Sequence, residues 1–122
     1  MLKITEAGVQ KTVSNILTLN KITHWRQNSG VMTIKDRFIR FLYWLYPRST
    51  KKDTKYAFLD LAGIINGRFF SIEVKAPGEM PTGYQYNTID LLRKHGCMAF
   101  YVDSAEMLQE KFLKYGVRLK IN

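Results

Sequence analysis

The chain has 122 residues, 46% of them hydrophobic, and one cysteine, which fits a single domain with a core of its own and rules out an internal disulfide. No apolar stretch approaches the ~20 residues of a membrane helix, and the first residues, Met-Leu-Lys-Ile-Thr-Glu, lack the apolar centre of a signal peptide. The expectation is an intracellular protein in a reducing setting, with no membrane partner. Nineteen Lys and Arg against ten Asp and Glu leave a net charge of +9, which points to a polyanionic partner, nucleic acid before anionic membrane.

In chain order, residues 5–19 read as a helix capped by Thr5, with Val9, Val13, Ile16 and Leu17 as its apolar stripe. Glu6 is nearly in line with Val13 and projects from the apolar edge. It is either a first-turn acid favoured by the helix dipole or a carboxylate reaching toward a metal. Ile22 to Trp25 is a short strand, and Arg26 to Gly30 a turn cluster. Val31 to Ile34 and Arg37 to Tyr43 read as strand segments around Lys35-Asp36. Residues 45–56 read as a polar, basic loop.

Between Lys35 and Lys55, Arg37, Arg40, Arg48, Lys51, Lys52 and the two end lysines meet only Asp36 and Asp53. Phe38, Phe41, Tyr43, Trp44 and Tyr46 lie among them. Cations mixed with aromatics can track a phosphate backbone and stack on bases. Pro47 and the polar run after it break any long membrane-surface helix.

The segment 58–75 carries the most chemistry. Asn66-Gly67 between two apolar runs predicts a two-residue type I′ hairpin turn. Pairing Ile65 with Arg68 and counting outward sets Asp60 opposite Glu73. Like charges on facing strand positions repel, so something positive belongs between them, and a divalent cation with oxygen ligands fits. Lys75 shares a face with Glu73 by the two-residue strand period. Two carboxylates and an ammonium on one face are the parts of a metal-dependent phosphodiester-cleaving site. The bland alternative is a solvated strand face. Apolar residues at Leu61, Ile64, Ile65, Phe69, Phe70, Ile72 and Val74 argue against it, because they predict strands buried on both faces.

Pro77 and Gly78 end the hairpin. A helix is predicted from Gly83 to His95, stopped by Gly96, with Gln85, Ile89 and Leu92 on its apolar face. Gln85 there either caps a backbone group or orients a water or phosphate. Cys97 to Val102 reads as a strand with a buried thiol at its start. Asp103 with Glu106 reads as a capping start for a last helix that runs to Tyr115 and stops at Gly116. Val117 to Ile121 is an edge strand or a tail. The order predicts an α/β fold, a central mixed sheet with helices on both faces. No His or Cys pair has zinc-like spacing; His24 and His95 stand alone.

Several motifs together resemble the VRR-NUC domain of the PD-(D/E)xK nuclease superfamily. They are Trp25-Arg26-Gln27-Asn28-Ser29-Gly30, Arg37 to Phe41, Asp60-Leu-Ala-Gly63, Gly67 through Glu73-Val74-Lys75 to Gly78, Gln85, and His95 to Phe100. The resemblance covers nearly the whole chain as one nuclease domain. It implies a restriction-endonuclease-like core of order αβββαβα. It further implies Mg²⁺ or Mn²⁺ on Asp60, Glu73 and the Val74 carbonyl, with Lys75 beside the attacking water or the transition-state charge. Glu6 and Gln85 match the family's N-terminal helix acid and downstream glutamine. Small stand-alone proteins of this kind are typical of bacteriophages and resemble Holliday-junction resolvases acting as homodimers, which leave a 5′-phosphate. Arg26, Ser29, Arg37, Arg40, Lys51, Lys52 and Lys55 are the expected DNA contacts, and aromatics of 38–46 the expected dimer interface. The chain departs from the family pattern at Phe58-Leu59, where a small residue or proline is usual before the aspartate, and in a long insert at 43–57.

The leading expectation is a structure-selective DNA endonuclease. A non-catalytic basic nucleic-acid-binding protein and a sequence-specific restriction-type enzyme are the alternatives. The second has little chain to spare for base readout.

Overall fold

The computed structural model describes residues 3–27, 31–34, 37–40 and 56–121, with 31–34 and 37–40 described by their backbone. Its elements run α1 (Glu6–Leu19), β1 (Thr23–Arg26), β2 (Val31–Ile34), β3 (Arg37–Arg40), β4 (Leu61–Ile65), β5 (Arg68–Val74), α2 (Gly83–Lys94), β6 (Met98–Val102) and α3 (Ala105–Leu113). The fold is α/β: a four-stranded mixed sheet of order β1-β4-β5-β6, flanked by helices. β1, β4 and β5 are antiparallel neighbours, and β6 joins β5 in parallel after the α2 crossover. β2 and β3 pair with each other as a separate antiparallel hairpin. Among the described residues no helix is long and apolar enough to cross a membrane.

The Asn66-Gly67 turn forms as its residues dictate. Both take positive φ, +52° and +74°, the pair of left-handed conformations a type I′ turn requires. The register follows: Ile65 faces Arg68, Ile64 faces Phe69, and the ladder reaches Leu61 opposite Ile72. Gly63 answers a close approach, since a Cβ there would overlap the Thr23 carbonyl and the Phe70 ring.

Alternation along β5 divides the core. Phe70, Ile72 and Val74 face α1 and α3, joining Val9, Val13, Leu17, Phe100, Leu108 and Phe112. Phe112 meets Phe70 and Phe100 edge to face, at ring separations of 5.4 and 5.1 Å. The opposite face is thinner, with Leu59, Ile89 and Ala99 packed beneath α2. That thin layer leaves room for polar side chains on the α2 side of β5.

Three local expectations are corrected, and one open choice is decided. Ile64, expected inside, is 47% exposed because it lies near the turn, beyond the cover of α2. Cys97 is half-buried rather than buried. The cap of α3 is Ser104, whose hydroxyl accepts the Met107 N–H, whereas the Asp103 carboxylate accepts the Gly78 N–H instead. Of the two readings of Val117 to Ile121, edge strand or tail, the tail is the one that forms: Asn20 accepts from the Lys120 N–H and donates to its carbonyl, and Leu119 is buried.

Candidate metal centre

Three elements deliver three carboxylates to one place. Asp60 sits one residue before β4, Glu73 is the penultimate residue of β5, and Glu6 opens α1. A carboxylate oxygen from each lies within 4.8 Å of the other two. Glu6 is exposed, Asp60 half-buried and Glu73 buried, so the cluster runs from solvent to core. It lies at the carboxyl end of β5, where open α/β sheets commonly bind ligands.

Each member is held by its local sequence. Asp60 follows the ladder outward to a place across from Glu73, and its Oδ2 accepts the Val74 N–H at 2.8 Å. Its own carbonyl accepts the Gln27 N–H at 2.8 Å, which ties the approach to β4 to the end of β1. One turn upstream, Thr88 of α2 bonds both the N–H and the carbonyl of Ala57. Glu73 shares the β5 face of Phe69 and Ser71, under α2. Thr5 caps α1, its hydroxyl accepting the Gly8 N–H, which fixes the turn that carries Glu6.

Gln85 caps a backbone group, the first of the two roles the sequence left open, and its other end bonds Glu73. Its Oε1 accepts the Thr82 N–H at 2.8 Å, completing a capping box at the start of α2. Its Nε2 donates to Glu73 Oε2 at 2.8 Å. The amide thus locks a helix terminus to a buried carboxylate. The Lys75 ammonium lies 3.7 Å from the same oxygen, an ion pair too long for a hydrogen bond. The Lys75 N–H donates to the Val102 carbonyl, so β5–β6 pairing fixes the backbone from which that side chain leaves.

Glu73 has its pKa pushed up to about 8, first by burial, then by the charge of Asp60 and a hydrogen bond with it; Lys75 pulls the other way and Glu6 adds repulsion. One ammonium does not balance three converging carboxylates. Oxygens around one octahedral Mg²⁺ at ~2.1 Å lie about 3–4 Å apart, a spacing compatible with the 4.8 Å limit on this cluster. The all-oxygen donor set suits hard cations such as Mg²⁺ or Mn²⁺. Among the described residues no histidine or cysteine joins such a cluster.

The expected DNA contacts divide differently. Arg26 is exposed at the end of edge strand β1. Arg37 and Arg40 begin and end β3, described by its backbone. Ser29, Lys51, Lys52 and Lys55 lie outside the described residues, as do the 43–55 part of the insert and the aromatics from Phe41 to Tyr46. Sequence reasoning missed Gln27, Thr82 and Thr88, which hold the site without touching the acid oxygens. Gln27 carries a weak signal, standing in the turn cluster after β1; Thr88, in mid-helix, carries none. Compared with known proteins, the chain matches no family model, no curated relative and no solved structure.

Proposed function

We propose that this chain is a divalent-metal-dependent, structure-selective DNA endonuclease of the PD-(D/E)xK type, similar to VRR-NUC domains. In this reading it hydrolyses phosphodiester bonds in branched DNA such as Holliday junctions. The observation that carries the reading is the convergence of Glu6, Asp60 and Glu73 within 4.8 Å, with Lys75 3.7 Å from Glu73. Solvated acids have no reason to gather around a buried glutamate, whereas cation ligands must.

Asp60 and Glu73, with the Val74 carbonyl, are the proposed ligands of Mg²⁺ or Mn²⁺, and Glu6 the outer carboxylate. A bound divalent ion supplies Lewis acidity toward the phosphate and lowers the pKa of a coordinated water. Gln85 prevents Glu73 from rotating away and keeps it turned toward Asp60. The Lys75 ammonium, held beside the cluster, stabilises charge that builds on the non-bridging phosphate oxygens and orients the attacking water. Positive charge elsewhere on the +9 chain draws in the polyanionic substrate. One chain has one such site and cuts one strand, so paired incisions require a homodimer with two-fold symmetry.

The test is cleavage of end-labelled four-way junction, 5′-flap, single-stranded and linear duplex DNA with Mg²⁺, Mn²⁺ or EDTA, beside Asp60→Ala. The proposal expects metal-dependent, symmetric cuts on the junction that vanish in the variant. Salt-sensitive binding without cleavage of any substrate would refute it and leave a non-catalytic binding protein. Cuts fixed by base sequence and indifferent to branching would indicate a restriction-type enzyme.

A further inference from the structure

A second feature lies near the carboxylates. α1 and edge strand β1 do not close on one another, and a groove of ≈ 490 Å³ runs between them. Ala7, next in sequence to Glu6, and Leu61, next in sequence to Asp60, are among its lining residues, so the groove passes near the acid cluster. Lys11 on α1 and Arg26 on β1 line it from opposite walls. No acidic residue lines it among the described residues.

The wall residues follow from two periodicities. Positions 7, 11 and 14 share a face of α1, at the flank of the buried stripe of Val9, Val13 and Leu17. His24 and Arg26 alternate on β1 and, being paired with Gly63 and Leu61, face the α1 side of the sheet. His24 links the two walls at 2.8 Å on each side: its Nδ1–H donates to the Ile22 carbonyl, and its Nε2 accepts from the Ser14 hydroxyl. That link fixes the spacing of the walls without consuming either cation. Neither the Lys11 nor the Arg26 side chain makes a salt bridge or hydrogen bond to a described residue, and the ion pair found among the described residues is Lys75 with Glu73. Two cations facing one another across a polar groove repel unless an anion lies between them.

We propose that this groove carries the DNA strand leading away from the scissile phosphate, with Lys11 and Arg26 as its phosphate contacts. The assignment rests on the endonuclease reading for its direction, since the groove passes near the carboxylates. It names a binding path that the basic 35–55 segment does not include. From Glu6 to Ser14 the helix rises about 12 Å at ~1.5 Å per residue. At ~3.4 Å per nucleotide of stacked strand, that length holds about three nucleotides on one side of the cut.

The test is binding of fluorescein-labelled junction DNA by fluorescence anisotropy in EDTA, from 50 to 200 mM KCl. The proteins are wild type, Lys11→Ala, Arg26→Ala, the double alanine variant and the charge-keeping pair Lys11→Arg/Arg26→Lys. Each lost phosphate contact flattens the slope of log affinity against log salt by ~0.9. The double variant is therefore expected to lose about tenfold less affinity than wild type across that fourfold salt range. The charge-keeping pair is expected to follow wild type. An unchanged slope in the double variant, or a loss that the charge-keeping pair shares, would overturn the proposal. Because binding is read without metal, cleavage by wild type tests the endonuclease reading separately. A flattened slope with no cleavage would keep the groove as a DNA path and remove the nuclease.

Discussion

Replacing Asp60 with Asn separates stability from function at the acid cluster. Glu73 in the folded chain has a pKa of about 8 against an ordinary 4.5. A carboxylate raised on folding contributes stability that is fully present below pH 4.5 and is lost as pH rises through about 8. Without metal, the loss by pH 7 is on the order of 3 kcal/mol, at ~1.4 kcal/mol per pKa unit. Burial is the largest cause and Asp60 the second, so removing the Asp60 charge returns part of that loss and raises Tm at the higher pH. Asn keeps an acceptor for the Val74 N–H, so the backbone contact survives. The assay is thermal unfolding by circular dichroism at pH 5 and pH 8, in EDTA and in excess Mn²⁺. In EDTA, Asp60→Asn is expected to gain on wild type between pH 5 and pH 8. In Mn²⁺ at pH 8, wild type is expected to rise and the variant not. A variant that melts below wild type by the same margin at both pH values in EDTA would refute the reasoning, because Asp60 would then not be what strains Glu73.

Three further outcomes follow from named contacts. Gln85→Ala removes the acceptor for the Thr82 N–H and the donor to Glu73, so unfolding in urea is expected to show a loss of about 1 kcal/mol. Cleavage by that variant should fall as well, whereas a variant merely missing its cap would keep full activity. Lys75→Met keeps the stem and removes the charge 3.7 Å from Glu73; single-turnover cleavage is expected to drop at least ~100-fold while Mn²⁺ binding persists. Phe112→Ala empties the centre of the Phe70–Phe100–Phe112 cluster, and urea unfolding should report a loss of about 3–5 kcal/mol without a change in the metal site.

The parts of the site closest to the chemistry were the most legible in the sequence, for a physical reason. Asn66-Gly67 admits few turn types, the turn fixes the register, and the register carries Asp60 to Glu73 by counting alone. Glu6 was readable as an edge position because helical period relates it to Val13. The cap by Gln85 was readable from its place in the first turn of α2, but its bond to Glu73 was not, because that needs α2 docked over β5. The rest depends on contacts that no local pattern encodes. Asp103 fails to cap α3 because Gly78, far away in sequence, takes its carboxylate. The tail from Val117 is held by Asn20 at the end of α1, a partner 100 residues away. The groove between Lys11 and Arg26 arises only when α1 docks beside the sheet edge, so neither residue announces it alone.

The most direct test of the central claim is Mn²⁺ binding by electron paramagnetic resonance, read in the same samples as four-way-junction cleavage, for wild type and Asp60→Asn. The account predicts that wild type binds Mn²⁺ and cuts the junction, and that one substitution removes both. Wild type that binds no Mn²⁺, or a variant that still cuts, would contradict it.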